Sequence, residues 1–269
     1  MFSAAVGWGA RRRWPRLLRG PLYTAFGRAV GARLDEAELP LDQYPTFGEF
    51  FSRRLRAGVR PIADPDGALI APCDGVIAAC GRMDDGWLIQ AKGIDYRLDD
   101  LVRDPQLAAT LAGGAYCTIY LSPRDYHRVH APIAAALVGY RHVPGQRFPV
   151  NPLFTRHIDG LLVTNERVVI HLRSAHGDIA VVMVAAAGVG NIALTHAHGQ
   201  RDRSMFRRGG TLEPTAVTTV ARGAELGAFH LGSTVVLLCP PGALALHVGV
   251  GDELRFGQRI GGAMGEARG

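Results

Sequence analysis

Three short stretches carry side chains able to do chemistry, and they lie far apart in the chain. In "HLGSTVVLL" (230–238), Ser233 sits between Gly232 and Thr234 at the mouth of an apolar run that reads as a buried strand. A serine hydroxyl becomes a nucleophile only when a neighbouring base removes its proton. "YHRVHAP" offers His127 and His130, which would face one side if the segment makes a helical turn, as two acid/base groups or two metal ligands. "PCDGV" contributes Asp74 in a turn leading into a strand. Each stretch alone has a plain structural reading as a turn or a strand start. "THAHG" adds His196 and His198, and with the pair in "YHRVH" these make a zinc hydrolase a rival reading, one that predicts stoichiometric metal and no chain cleavage.

The elements that must position these residues follow from periodicity. In "YPTFGEFFSRRLRAGVRPI" (44–62), Thr46 and Glu49 have capping-box spacing, and Phe47, Phe50, Phe51 and Leu55 are spaced for one face of a short helix. Beyond Pro61 the runs "WLIQA", "AYCTIYL", "LLVTNERVVIHL", "DIAVVMVAAA", "TVVLLC" and "LALHVG" alternate with Gly, Pro and Asp turns. The reading is an α+β fold: a compact, mostly antiparallel β catalytic core over 61–269, N-terminal amphipathic helices over 1–60, and a small helical insertion around "YRLDDLVRDPQLAATLAG". No Gly-rich phosphate loop or doubly wound pattern is visible.

Composition limits the class. With 269 residues and 48% hydrophobic content, the chain can bury one substantial core. The longest apolar run, 179–190, is 12 residues, short of the roughly 20 that a spanning helix needs. Cys73, Cys80, Cys117 and Cys239 form no C-x-x-C pair, so neither a zinc knuckle nor a disulfide framework is signalled. Lys92 is the sole lysine. That argues against a pyridoxal phosphate enzyme, and against a lipoyl- or biotinyl-carrier module despite the turn-strand rhythm of "VARGAELGAFHLGSTVVLL", because carriers need a lysine at a hairpin tip and none lies nearby.

The net charge of +6 is unevenly spread: residues 1–34 hold seven arginines and no acid, interleaved with Trp8, Trp14, Leu17, Leu18, Leu22, Tyr23 and Phe26. Such a segment suits an anionic membrane surface, with nucleic acid as the competing anion. No apolar h-region follows the arginines, so a signal peptide is disfavoured.

Taken together and in order, "YPTFGEFFSRRLRAGVRPI", "APCDGVI", "YHRVHAP", "NPLF", "VGNI" and "LGST" closely resemble the phosphatidylserine decarboxylases of bacteria and mitochondria. Cys73 departs from the aliphatic residue expected in the P-x-D-G turn and leaves Asp74 in place. The resemblance implies that Ser233 attacks the carbonyl of Gly232, splitting the chain into 1–232 and a 37-residue remainder, 233–269, capped by a pyruvoyl group made from Ser233. It implies His130 as the base for that step, Asp74 as its orienter, and His127 as the group that assists decarboxylation and reprotonates the product carbon. The implied substrate is phosphatidylserine; the arginine-aromatic segment 1–34 is expected to anchor the protein peripherally at the cytoplasmic side of the cell membrane, a homodimer is compatible, and nucleic acid drops out as a partner.

Overall fold

The computed structural model describes residues 10, 12–63, 67–91, 94–150, 157–186, 192–195, 209–212, 218–229 and 233–264. The chain enters through α1 (Arg16–Val30), closed by Gly31 in the left-handed region at φ 75°. Its buried Tyr23 stacks on Phe50 at 4.5 Å with ring planes 4° apart, and Tyr44 completes this cluster. Phe50 belongs to α2 (Phe47–Phe51), whose N-cap is Thr46: its hydroxyl oxygen accepts the Glu49 N–H at 3.1 Å. A cap of this kind stabilises a helix by about 1 kcal/mol. The helix ends at Phe51, before Leu55, so the aromatic stripe is not a single face. Phe50 turns toward Tyr23 and Phe51 toward His127.

Strands follow. β1 (Leu69–Ile70) and β2 (Gly75–Arg82) precede a hairpin of β3 (Trp87–Ala91) and β4 (Ile94–Arg97). Next come α3 (Leu98–Val102) and α4 (Pro105–Leu111), the helical insertion that the sequence signals. Asp104 caps α4 by accepting the N–H groups of Gln106 and Leu107, and Pro105 occupies the first turn, where its missing N–H costs nothing. β5 (Ala115–Leu121), β6 (Arg128–His130) and β7 (Ala135–Val143) lead to the short α5 (Leu161–Thr164). β8 (Arg167–Ser174), β9 (Gly177–Ala185), β10 (Ile192–Leu194), β11 (Gly210–Leu212) and β12 (Thr218–Val220) follow. The last strands are β13 (Glu225–Phe229), β14 (Ser233–Leu238), β15 (Leu244–Leu246), β16 (Glu253–Leu254) and β17 (Arg259–Ala263).

Nine strands form one antiparallel sheet in the order β11-β7-β8-β9-β14-β5-β2-β16, with β12 also on β7. β14 lies inside it, between β9 and β5, and all of its residues are buried. Successive side chains of a strand point to opposite faces, so β14 serves two cores. Val235 and Leu237 pack in a cluster with Val129, Leu226 and Phe229; Val236 and Leu238 pack in another with Leu98, Leu101, Leu107 and Leu111. The inserted helices thus cover one face, and the small sheet β10-β13-β6 covers the other. Buried Arg167 ties the inserted helices to the sheet, its guanidinium donating to the carbonyls of Asp100, Leu101, Val163 and Asn165 at the ends of α3 and α5. Those are carbonyls that a helix end leaves without partners.

Candidate active site

Ser233 is the first residue of β14, paired with Ala185 of β9 and Leu121 of β5, and it is wholly buried. By alternation its side chain shares the face of Val235 and Leu237, toward the sheet that contains β6 and β13. There it meets His127: Nδ1 lies 3.3 Å from Ser233 Oγ. The other ring nitrogen, Nε2, lies 3.0 Å from the Ser122 carbonyl. A carbonyl only accepts, so Nε2 carries the proton and Nδ1 presents its lone pair to the serine hydroxyl. Phe51 stacks on the imidazole at 4.1 Å. Burial, and then the Arg53 cation, push His127 down to about 3, so the ring is neutral at physiological pH.

The YHRVH segment is not helical. Arg128–His130 is strand β6, and a spacing of three on a strand sends two side chains to opposite sides. The condition under which the two histidines would share a face is therefore not met. His130 Nδ1 donates to the Gly223 carbonyl at 2.8 Å, and Nε2 accepts the Tyr126 hydroxyl at 3.0 Å. Its ring stacks on Phe256 at 3.7 Å. Burial pushes His130 down to about 4, although the Glu225 and Asp74 carboxylates favour its protonated form.

Asp74 makes no hydrogen bond to His130. Its carboxylate pairs with Arg60 through both oxygens, at 3.1 and 2.7 Å, and accepts the Phe256 N–H at 2.8 Å. The direct orienting contact expected between Asp74 and His130 is thus replaced by an indirect one, in which Asp74 fixes the Phe256 backbone and the Phe256 ring covers His130. The Asp-Gly pair has a steric reason: Gly75 has φ +153°, and a Cβ there would lie 2.6 Å from the Tyr120 carbonyl oxygen. Arg60 also reaches Glu36 at 2.7 Å, linking the N-terminal region to this turn.

The structure therefore brings His127 and Ser233 together and holds His130 and Asp74 in a neighbouring cluster joined through Phe256. Gly232, His196, His198 and Lys92 lie outside the described residues. Among the described residues no group of three or more His, Cys, Asp or Glu could hold a metal ion. Sequence reasoning missed Phe51, Arg53, Arg60, Tyr126 and Phe256. Four of these lie inside motifs that it quoted, but neither helical nor strand period marks a ring that covers a distant histidine.

A family model described as "Phosphatidylserine decarboxylase" matches residues 47–262. The chain belongs to the phosphatidylserine decarboxylase family. It is 43% identical to the phosphatidylserine decarboxylase proenzyme of Anaeromyxobacter sp. (strain K), across 97% of this chain and 93% of that protein. The proenzyme of Myxococcus xanthus is 37% identical across 96% and 92%, and that of Halorhodospira halophila 41% across 94% and 87%. The family match begins at Phe47, so it takes in α2 and Arg60 as well as the strands. That boundary agrees with the packing, since Arg128 of β6 donates to the Ser52 carbonyl at 2.9 Å and fastens the end of α2 to the catalytic strands. Neither the zinc-hydrolase nor the carrier reading gains support from these matches.

Proposed function

We propose that this chain is a self-cleaving decarboxylase that converts phosphatidylserine to phosphatidylethanolamine and carbon dioxide, with a pyruvoyl group made from Ser233. The observation that carries the reading is the Ser233 hydroxyl, buried at the start of a central strand and 3.3 Å from a neutral imidazole nitrogen. A residue destined to become a prosthetic group needs this setting: a fixed backbone, exclusion of water, and a neutral imidazole held at the reacting centre. In cleavage, Oγ of Ser233 bonds to the Gly232 carbonyl carbon as the peptide C–N bond breaks, and the hydroxyl proton passes to the freed amine. Loss of the Cα proton then expels the Gly232 carboxylate, and hydrolysis at residue 233 releases ammonia. The pyruvoyl carbonyl supplies an electron sink beside the substrate's amino group while the carboxylate leaves.

Contact and charge assign the two histidines to different steps. His127 touches the residue that becomes the reacting centre, so it is the group placed to assist decarboxylation there. It is also beside the Arg53 cation, which disfavours an imidazolium and makes it a poor holder of the serine proton. At His130 the Glu225 and Asp74 carboxylates favour one, against the opposing Arg128 cation that pairs with Glu225. His130 is therefore the base for cleavage in this reading. The test is intact mass under denaturing conditions together with carbon dioxide release from carboxyl-labelled phosphatidylserine. The wild type should give two chains divided between Gly232 and Ser233, and Ser233→Ala one inactive chain; an unbroken chain in an active sample overturns the reading.

A second part of the proposal is peripheral attachment to the cytoplasmic face of an anionic membrane. No helix among the described residues is long and apolar enough to cross a bilayer. α1 instead exposes Leu17, Leu18 and Leu22, at 90%, 53% and 38%, on a helix with no acid in its first turn. Arg16 and Arg19 are partly engaged with Asp42, so the leucines carry more of the attachment than the charge pattern alone suggests. Replacing all three leucines by Gln should weaken flotation with anionic vesicles, and unchanged flotation would place the lipid contact elsewhere.

A further inference from the structure

Beside the Asp74 turn lies a polar cleft of about 270 Å³, bounded by the end of α1, the segment after α2, the Asp125–Tyr126 turn and the strand β16. Five arginines and four carboxylates line it, and most neutralise one another. Arg60 pairs with Glu36 and Asp74, Arg33 with Glu36, and Arg124 with Glu253 and Asp125. Arg53 and Arg255 remain, with no carboxylate within ion-pair distance among the described residues.

Arg255 is exposed, and a solvated cation needs no partner. Arg53 is different: only 4% of it is exposed, its Nε has no hydrogen-bond partner, its guanidinium carbon lies 5.3 Å from the Phe50 ring, and the Glu36 and Asp74 carboxylates that favour its charge stand beyond ion-pair distance, both already paired with Arg60. Burying a guanidinium this far without an anion is costly, and the cost is recovered when a ligand supplies the missing charge. Arg53 follows Phe51, which covers His127, so the unpaired cation stands next to the reacting centre.

We infer that Arg53, assisted at the rim by Arg255, is the anion-binding element of this cleft and takes the phosphodiester of the substrate. The inference rests on the phosphatidylserine reading and specifies its binding site. That substrate carries two anions, and the chemistry selects between them. The carboxylate must leave as neutral carbon dioxide, so a guanidinium paired with it would stabilise the ground state and oppose reaction. The phosphodiester is unchanged from substrate to product, so pairing with it binds both without hindering the chemistry. A planar fork of N–H donors also matches two phosphate oxygens.

The test compares wild type with Arg53→Gln and Arg53→Lys, on phosphatidylserine and on its phosphate-methylated, uncharged triester. Wild type should show a KM roughly tenfold or more higher for the triester, the scale of a lost charge-assisted hydrogen bond. Arg53→Gln should raise KM for phosphatidylserine by a similar factor and should no longer distinguish the two lipids, while kcat shifts for both lipids alike because the Arg53 cation also acts on His127. Binding of dihexanoyl phosphatidylethanolamine should weaken in parallel. Should the Gln variant not cleave, Arg53→Lys, which keeps the charge and stem, carries the same comparison with a smaller loss. Equal KM values for the two lipids in wild type, or a triester penalty that persists undiminished in the variants, overturns the assignment. A wild type that binds the phosphodiester lipid but releases no carbon dioxide from phosphatidylserine would instead sink the functional reading.

Discussion

His127 and His130 lie in nearly identical frames. Each is buried, stacked on a phenylalanine, and locked into one tautomer by a main-chain carbonyl, Ser122 for one and Gly223 for the other. What differs is the group facing the remaining nitrogen, which is the Ser233 hydroxyl at His127 and the Tyr126 hydroxyl at His130. The surrounding charge differs too: the Arg53 cation acts alone on His127, whereas at His130 the Glu225 and Asp74 carboxylates stand against the Arg128 cation. One fold has thus built two neutral imidazoles three residues apart and given one the contact and the other the electrostatic support. The lesson is that residue type and burial leave the two imidazoles alike; the partner of the free nitrogen and the balance of nearby charge distinguish them.

The comparison breaks most sharply on the first variant. His127→Ala should still divide into two chains, yet release carbon dioxide about 100- to 10,000-fold more slowly per cleaved molecule, the range lost with a general acid-base group. Mass spectrometry and turnover on the same sample separate the two effects. An uncleaved His127→Ala chain would mean that contact outweighs charge, and that His127 starts the cleavage.

His130→Ala should show the reverse pattern, with cleavage slowed about 100-fold and turnover per cleaved molecule within a few-fold of wild type. Asp74→Asn should move the same way and less far, because its influence passes through Arg60 and Phe256. A time course of chain division on denaturing gels measures both.

Phe51→Leu keeps an apolar side chain over His127 and removes the ring stacking, worth about 1 kcal/mol. Turnover should fall less than tenfold, with cleavage unaffected. An effect as large as that of His127→Ala would show the ring to be indispensable for aiming the imidazole.

The smallest expected effect is on stability. Both histidines have folded-state values pushed below 6.5, to about 3 and about 4. Below 6.5 the unfolded chain binds protons that the folded chain refuses, so stability falls as pH falls. Between 6.5 and about 4.5 this loss comes from the histidines, and the Asp125 carboxyl, which burial raises, works against it as the pH falls further. Thermal unfolding of the uncleaved Ser233→Ala chain should show a lower Tm at pH 5 than at pH 7. Adding His130→Gln should reduce that difference, and an unchanged difference would mean that His130 is not held neutral.

Much of this arrangement was legible in the sequence. Local rules suffice for the Thr46 cap, the helices at 98–111 and the buried strand after Ser233, because capping geometry and side-chain period act over a few residues. The joint order of the motifs likewise identified the family, and with it Ser233, His127, His130 and Asp74 as candidates. Which side each histidine faces was not legible, because it turned on whether residues 128–130 pair with β13, a contact about a hundred positions away. The partner of Asp74 was also hidden: a carboxylate in a turn is equally available to an imidazole or a guanidinium. Arg60 reaches it first because Glu36 and the turn hold that side chain in place. The arginines of "RRLRAGVRP" read alike in one dimension, yet packing pairs Arg54 with Glu225 and Arg60 with Asp74 while leaving Arg53 buried over a ring with no carboxylate at ion-pair distance among the described residues. Chemical identity and local period are properties of the chain. Burial, the charge next door and the direction of a lone pair belong to long-range packing, and here only the tertiary structure decided them.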